Sequence, residues 1–198
     1  IHRRPTCPLR RIPDVAESRC LAMRSFQIRP ILSSDDRMTL SRVYEESWKS
    51  AYQGILPQDY LDTIPTGFWV DKIDQPQRQT LVGLFQEKFA GVCAFGPARQ
   101  PVGEEWAEIY SLYLLPPYQK QGLGRELLKT AVNILTTQEY DRIFLWVLEE
   151  NHPARCFYEH AGFSATSCFS PCTIGGKKLL QMLYVYPPHC SPPSSLIS

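Results

Sequence analysis

The residues best placed to do chemistry begin with Gln119-Lys120-Gln121-Gly122-Leu123-Gly124. This stretch follows an apolar run closed by Pro116-Pro117 and becomes helical in pattern at Arg125. A strand, a glycine loop and a helix N-terminus in that order form a seat for an anion. The first helical amides lack intrahelical acceptors, the macrodipole is positive there, and glycine lets a phosphate reach the backbone. A tight turn into an ordinary helix would use the same glycines. Upstream, Glu108 is an acid inside an apolar and aromatic strand, with Tyr110 and Leu112 on its side if the pleat is regular. A carboxylate on a strand that delivers a ligand to a glycine loop can serve as a general base, and a carboxylate at a wet rim would look the same in sequence. Tyr158 could donate a proton to a ligand from a short helix, or pack as a core tyrosine. Trp48, Tyr52 and Tyr60 divide in the same way between core packing and a wall facing substrate.

The elements that must position these residues follow from periodicity. Phe26 to Pro30 alternates like a strand, and Ser33 to Asp36 offers caps for a helix with Met38, Leu40, Val43, Tyr44, Ser47 and Trp48 on one face. Gly54 breaks it, and Pro57 starts a second, short helix. Residues 66 to 79 read as a loop or a third short helix. Residues 80–85 and 89–96 form a hairpin, and 107–114 make the strand that runs into the glycine loop. Leu127, Leu128, Ala131, Val132, Ile134 and Leu135 mark a helix, and Arg142 to Leu148 reads as a strand buried on both faces, so the connection predicts a parallel crossover. Asn151 caps the next helix before Gly162, and two strands around Gly175-Gly176 close the fold.

A chain of 198 residues that is 43% apolar and 12% aromatic can bury one substantial core. One domain over residues 23–186 is expected. Residues 1–22, with five arginines and no sustained periodicity, are read as an upstream extension outside it, and residues 187–198 as a disordered tail rich in proline and serine. Twenty-one Lys and Arg against 20 Asp and Glu leave a formal charge of +1, which gives no global electrostatic case for nucleic acid or an anionic membrane. No apolar run approaches the ~20 residues of a membrane span, so a soluble protein is expected. The seven cysteines lack Cys-x-x-Cys spacing and fit a reducing cytoplasm. Cys168, Cys172, His189 and Cys190 do not have zinc-knuckle spacing, and no metal is expected. A P-loop, a three-glycine dinucleotide fingerprint and a Gly-x-Ser-x-Gly elbow are all absent.

Gln119-Lys120-Gln121-Gly122-Leu123-Gly124 resembles the Gln/Arg-x-x-Gly-x-Gly/Ala signature of the GNAT superfamily of acetyl-CoA-dependent N-acetyltransferases. Asn151 to Phe163, with Ala154, Phe157-Tyr158 and Gly162-Phe163, resembles the family's second signature, and the two occur in the family's order and separation. Trp48 to Pro57 resembles the helical elbow of a bacterial subgroup that includes polyamine acetyltransferases.

The resemblance implies a single α/β domain, a mixed twisted sheet of about six to seven strands flanked by about four helices, splayed after its fourth strand. It implies acetyl-CoA as co-substrate and transfer of acetyl to a small-molecule or peptide amine by direct attack in a ternary complex; the alternative is a non-catalytic acyl-CoA sensor or interaction domain. Pantetheine would bond the backbone of Leu112, Tyr113 and Leu114, and the pyrophosphate would sit on the amides from Lys120 to Arg125, beside Gln119, Gln121, Gly122, Leu123 and Gly124. Asn151 would touch the coenzyme from the opposite side. Glu108, eleven residues before Gln119, falls where the histone-acetylating branch places its general base, and Tyr158 falls at the family's general acid. Backbone N–H groups near Leu114 would hold the oxyanion. Trp48, Tyr52 and Tyr110 would line the acceptor site. Trp146 stands where enzymes acting on ribosomal-protein N-termini carry a glutamate, which argues against that substrate class. The oligomeric state is left open by the sequence, with a homodimer as one option.

Overall fold

Residues 26–100, 102–187 and 191–196 are described by the structure, a computed structural model; the expected extension over residues 1–22 lies outside them. A short first strand, β1 (Gln27–Pro30), leads to Asp36, whose carboxylate accepts from the amides of Met38 and Thr39 and so caps helix α1 (Arg37–Tyr52). The helix ends at Gln53, next to Gly54 at φ +79°, a conformation open to glycine at little cost. Helix α2 (Gln58–Asp62) follows Pro57, and residues 66–78 are a loop containing one helical turn, α3 (Val70–Ile73).

The sheet has seven strands in the order β1-β2-β3-β4-β5-β7-β6. Strands β2 (Gln79–Phe85) and β3 (Lys88–Pro97) form the expected hairpin. Its tip residues Gln86 and Glu87 both have positive φ, the geometry that suits the twist of a tight hairpin. Strand β4 (Trp106–Leu114) pairs antiparallel with β3; helix α4 (Leu123–Thr137) then crosses over to β5 (Arg142–Leu148), which runs parallel to β4. Helix α5 (His152–His160) and the long hairpin β6 (Ser164–Ile174) and β7 (Lys177–Tyr186) finish the domain, with β7 beside β5.

One face of the sheet is covered by α4 and α5, where Leu123, Leu127, Leu128, Ala131 and Leu135 pack on Cys93, Ile109 and Leu145. On the other face α1 to α3 bury Leu40, Val43, Tyr44, Leu61 and Trp69 against Val82 and Val92. Trp106, Phe144, Leu183 and Val185 form a third cluster, and Leu196, from the 3-10 turn Ser194–Leu196, packs on it. Residues 191–196 thus carry local structure where a disordered tail is predicted: Leu196 has an apolar surface to cover.

Candidate active site

Strands β4 and β5 pair only from Trp106–Arg142 to Glu108–Phe144. Beyond that point they part, and β4 from Ile109 to Leu114 keeps β3 as a neighbour on one side with an unpaired backbone edge on the other. A cleft of about 720 Å³ occupies the opening, a size suited to a ligand. Its walls come from α1 (Ser47, Tyr52), the splayed half of β4, the glycine loop, β5 (Leu145 to Val147) and α5.

The register explains why the walls differ from an ordinary sheet. Ala94 pairs with Ser111 and Phe95 with Ile109, so Tyr110 is an extra residue, a bulge in β4. The pleat is therefore irregular, contrary to the expectation that Glu108, Tyr110 and Leu112 share one side. Ile109 and Leu112 both join the α4 face, and Tyr113 turns to the α1 face, where it meets Trp48 at 6.0 Å and Tyr44 at 5.7 Å between ring centroids.

Glu108 is 2% exposed and does not line the cleft. Its carboxylate accepts from Arg99 Nε at 3.0 Å, from the Arg99 amide at 3.2 Å and from Arg99 Nη2. The same guanidinium lies 4.7 Å from the Tyr110 ring centroid, and its hydrogen bond to Glu108 raises its pKa. Both carboxylate oxygens are thus committed before any amine arrives. Glu108 is thus set apart from the cleft lining and paired with Arg99. The bulge that faces it away comes from strand register, which has no local signature in sequence. Tyr110 reaches the cleft, but its hydroxyl donates to Pro97 O at 2.5 Å; burial and the Glu108 charge push its pKa up to about 12.

Tyr158 is 8% exposed, lines the cleft from α5 and packs edge-on against Phe157 and Phe163. Burial raises its pKa far above the ordinary phenol range, with Cys93 and Tyr52 adding in the same direction. Tyr52 lies on the α1 wall and is raised by burial, with a hydrogen bond to Tyr113 that opposes the shift. Tyr113 is raised well above its usual value for the same primary reason.

The glycine loop forms the end of the cleft. Lys120 at φ +57° and Gly122 at φ +91° turn the chain into α4, and no side chain caps that helix, so its first amides face the opening. A Cβ on Gly122 would meet nothing within 4 Å, whereas one on Gly124 would come within 2.8 Å of Leu114 Cδ1. Gly124 therefore allows the close approach of α4 to β4. Gln119, Lys120, Gly122, Gly124 and Arg125 line the cleft. Gln121 and Leu123 do not: Gln121 Nε2 donates to Pro117 O at 2.6 Å, and Leu123, 1% exposed, points into the core. Across the opening, Asn151 Oδ1 accepts from the Ala154 amide at 3.2 Å and caps α5, and the buried residue also lines the cleft. An extended ligand bearing phosphates fits these features: an unpaired strand edge, then uncapped helix amides, with no Cβ at Gly122 to obstruct them.

A second, smaller pocket of about 280 Å³ lies on the far side of Trp48 and was not visible in sequence. It is lined by Trp48, Tyr60, Phe68, Trp69, Lys72 and the tip of the β6–β7 hairpin. The parts of its wall come from three helices and a hairpin with no common spacing. Among the described residues no cluster of three His, Cys, Asp or Glu could hold a metal, and no helix is long and apolar enough to cross a membrane. His189 and Cys190 lie outside the described residues.

Comparison with known proteins agrees with this geometry. The acetyltransferase (GNAT) family model matches residues 40–163. An uncharacterized N-acetyltransferase, YuaI of Bacillus subtilis, is 33% identical over 130 residues, covering 63% of this chain and 73% of that protein. The spermidine N(1)-acetyltransferase of Thermoplasma acidophilum is 31% identical over 143 residues, covering 70% and 88%. The crystal structure of the PaiA N-acetyltransferase of the same organism, in complex with coenzyme A, superposes with a TM-score of 0.59 at 23% identity over 80% of this chain and 98% of that one. With both signatures inside the matched span and the strands parted where the fold requires, the chain belongs to the acetyltransferase (GNAT) family and is an acetyl-CoA-dependent N-acetyltransferase.

Proposed function

We propose that the cleft binds acetyl-CoA along β4 and that a primary amine attacks the acetyl group directly, with both substrates bound. The observation that carries this reading is the unpaired edge of β4 beyond Glu108, set between the α4 N-terminus and Tyr158. The edge at Leu112, Tyr113 and Leu114 suits an amide-bearing arm added as an extra strand. The amides from Lys120 to Arg125 suit a pyrophosphate, with the Lys120 and Arg125 side chains adding charge and Asn151 closing the other side. Acetyl-CoA supplies the activated thioester.

Tyr158 keeps its proton at neutral pH because burial raises its pKa, which supports its role as the acid that protonates the leaving sulfur. An alkylamine, ordinary pKa about 10.4, must lose a proton before attack. The pairing of Glu108 with Arg99 favours cleft water as the immediate acceptor, with Glu108 holding Arg99 and the Tyr110 bulge in place. Backbone N–H groups of the β4 edge would stabilise charge developing on the carbonyl oxygen. The spermidine-acetylating relative supports an amine acceptor, and no observation favours a binding-only role. The spacing of the seven cysteines, without Cys-x-x-Cys pairs, supports a reducing, cytoplasmic setting.

Incubation with acetyl-CoA and a panel of amines should release free thiol only when amine is present, and Tyr158→Phe should lower kcat roughly 100-fold while acetyl-CoA still binds. Binding without thiol release from any amine would defeat the reading.

A further inference from the structure

The small pocket beyond Trp48 carries a chemical signature of its own. Trp48 stands between it and the cleft: its ring lies 6.0 Å from Tyr113 and 4.5 Å from Tyr52 on the cleft side, and 5.7 Å from Trp69 on the pocket side. Four aromatic residues, Trp48, Tyr60, Phe68 and Trp69, line it. An aromatic box of this kind ordinarily suits a ligand cation. Here the cation is supplied by the protein: Lys72 Nζ sits 3.4 Å from the Phe68 centroid and 6.0 Å from that of Trp69.

No acid offsets it. Among the described residues neither the pocket nor the cleft has an Asp or Glu in its lining. Two acids on flanking segments are engaged elsewhere: Glu45 accepts from Ser41 Oγ and the Gly67 amide, both at 2.7 Å, and Glu150 pairs with Lys177 at 2.9 Å. Burial holds the Lys72 pKa below the ordinary lysine value, as expected of an ammonium without a carboxylate partner. At about 280 Å³ the pocket is near the lower limit of roughly 300 Å³ for a whole small-molecule ligand, so it suits one end of an acceptor whose nitrogen lies in the cleft.

On the acetyl-transfer reading above, we propose that the pocket seats the distal end of the acceptor and takes an aromatic or bulky apolar group next to a carboxylate. The preferred acceptor is then an amine that ends in an acid, of the kind a short peptide presents, and not a polyamine. A polyamine would bring a second ammonium into a box already holding Lys72, with no carboxylate to receive it. A carboxylate gains a charge-assisted hydrogen bond from Lys72, while its apolar neighbour covers the rings.

The test uses acetyl-CoA with Gly-Phe, Gly-Phe amide and spermidine, read as thiol release. Gly-Phe should exceed its amide in kcat/KM by about tenfold, the worth of one hydrogen bond to a charged group, and should exceed spermidine by more. Lys72→Gln should bring Gly-Phe down to the level of the amide, and Lys72→Glu should reverse the order in favour of spermidine. In a separate measurement without turnover, 3-phenylpropionate should quench tryptophan fluorescence of the wild type, and 3-phenylpropionamide should not. Equal or better use of spermidine or the amide by the wild type would overturn the proposal and leave acetyl transfer standing. Equal quenching by acid and amide would overturn it too. Silence from every amine would remove the acetyl-transfer reading and this proposal with it.

Discussion

Glu108 and Tyr158 are both buried, at 2% and 8% exposure, yet only Tyr158 faces the cleft. The difference lies in what each polar atom already holds. Glu108 accepts three hydrogen bonds from Arg99, whereas Tyr158 is surrounded mainly by rings. Glu108→Gln should therefore act on stability more than on chemistry. The buried amide would turn a donor toward Arg99, at a cost of about 1–3 kcal/mol. At roughly 2–4 °C per kcal/mol for a domain of this size, the loss is measurable as a lower Tm. The pH dependence of kcat/KM in the variant should keep its shape. A lost acidic limb would return Glu108 to the role of base.

At the scale of elements, the site depends on how closely α4 approaches β4. Gly124 makes that approach possible, and the added methyl of Gly124→Ala would meet Leu114 Cδ1 at 2.8 Å. Moving the helix N-terminus away from the strand edge should weaken acetyl-CoA binding by about tenfold and lower stability by about 1–3 kcal/mol, the usual cost of overpacking. Titration calorimetry and thermal melting read these separately; unaltered affinity would mean that the loop adjusts without moving its amides. The β6–β7 hairpin is held in a comparable way. Gly175, at φ +57°, presses on the Tyr60 ring, and Lys177 Nζ donates to Ile55 O at 2.7 Å and pairs with Glu150. These contacts bring the hairpin tip over the aromatic pocket.

Across the whole molecule, phenols are buried in the core, as at Tyr44, Tyr158 and Tyr184, or half-buried along the cleft, as at Tyr52, Tyr110 and Tyr113. Burial raises the pKa values of Tyr44, Tyr52, Tyr113, Tyr158 and Tyr184, and pushes Tyr110 up to about 12. The folded state holds these protons more tightly than the unfolded chain, whose phenols titrate near 10. Their contribution is therefore complete below pH ~10 and is lost as pH rises toward the folded values. Denaturant melts should show stability falling steeply above pH ~10, earlier than a protein with exposed tyrosines; a flat profile from pH 9 to 11 would contradict the burial.

Much of the element order was legible in the sequence because it rests on local signals: the Asp36 and Asn151 caps, the turn at Gly54, and the apolar periods of α4 and β5. The glycine loop was legible for the same reason, since a left-handed Gly122 and an uncapped helix start are properties of a few consecutive residues. The cleft was legible only through resemblance. Local pattern could not show that β4 bulges at Tyr110, because a bulge is a relation between two strands. It could not separate Glu108 from the cleft, because Arg99 meets it across the turn into β4, nor assemble Trp48, Tyr60, Trp69 and Lys72 around one pocket, because they meet only when α1 to α3 dock beside the hairpin tip. The sequence by itself determined which elements form and where an anion can bind, since those depend on neighbours in the chain. The tertiary structure decided which polar atoms remain free for a ligand, since that depends on partners distant in the chain but close in space.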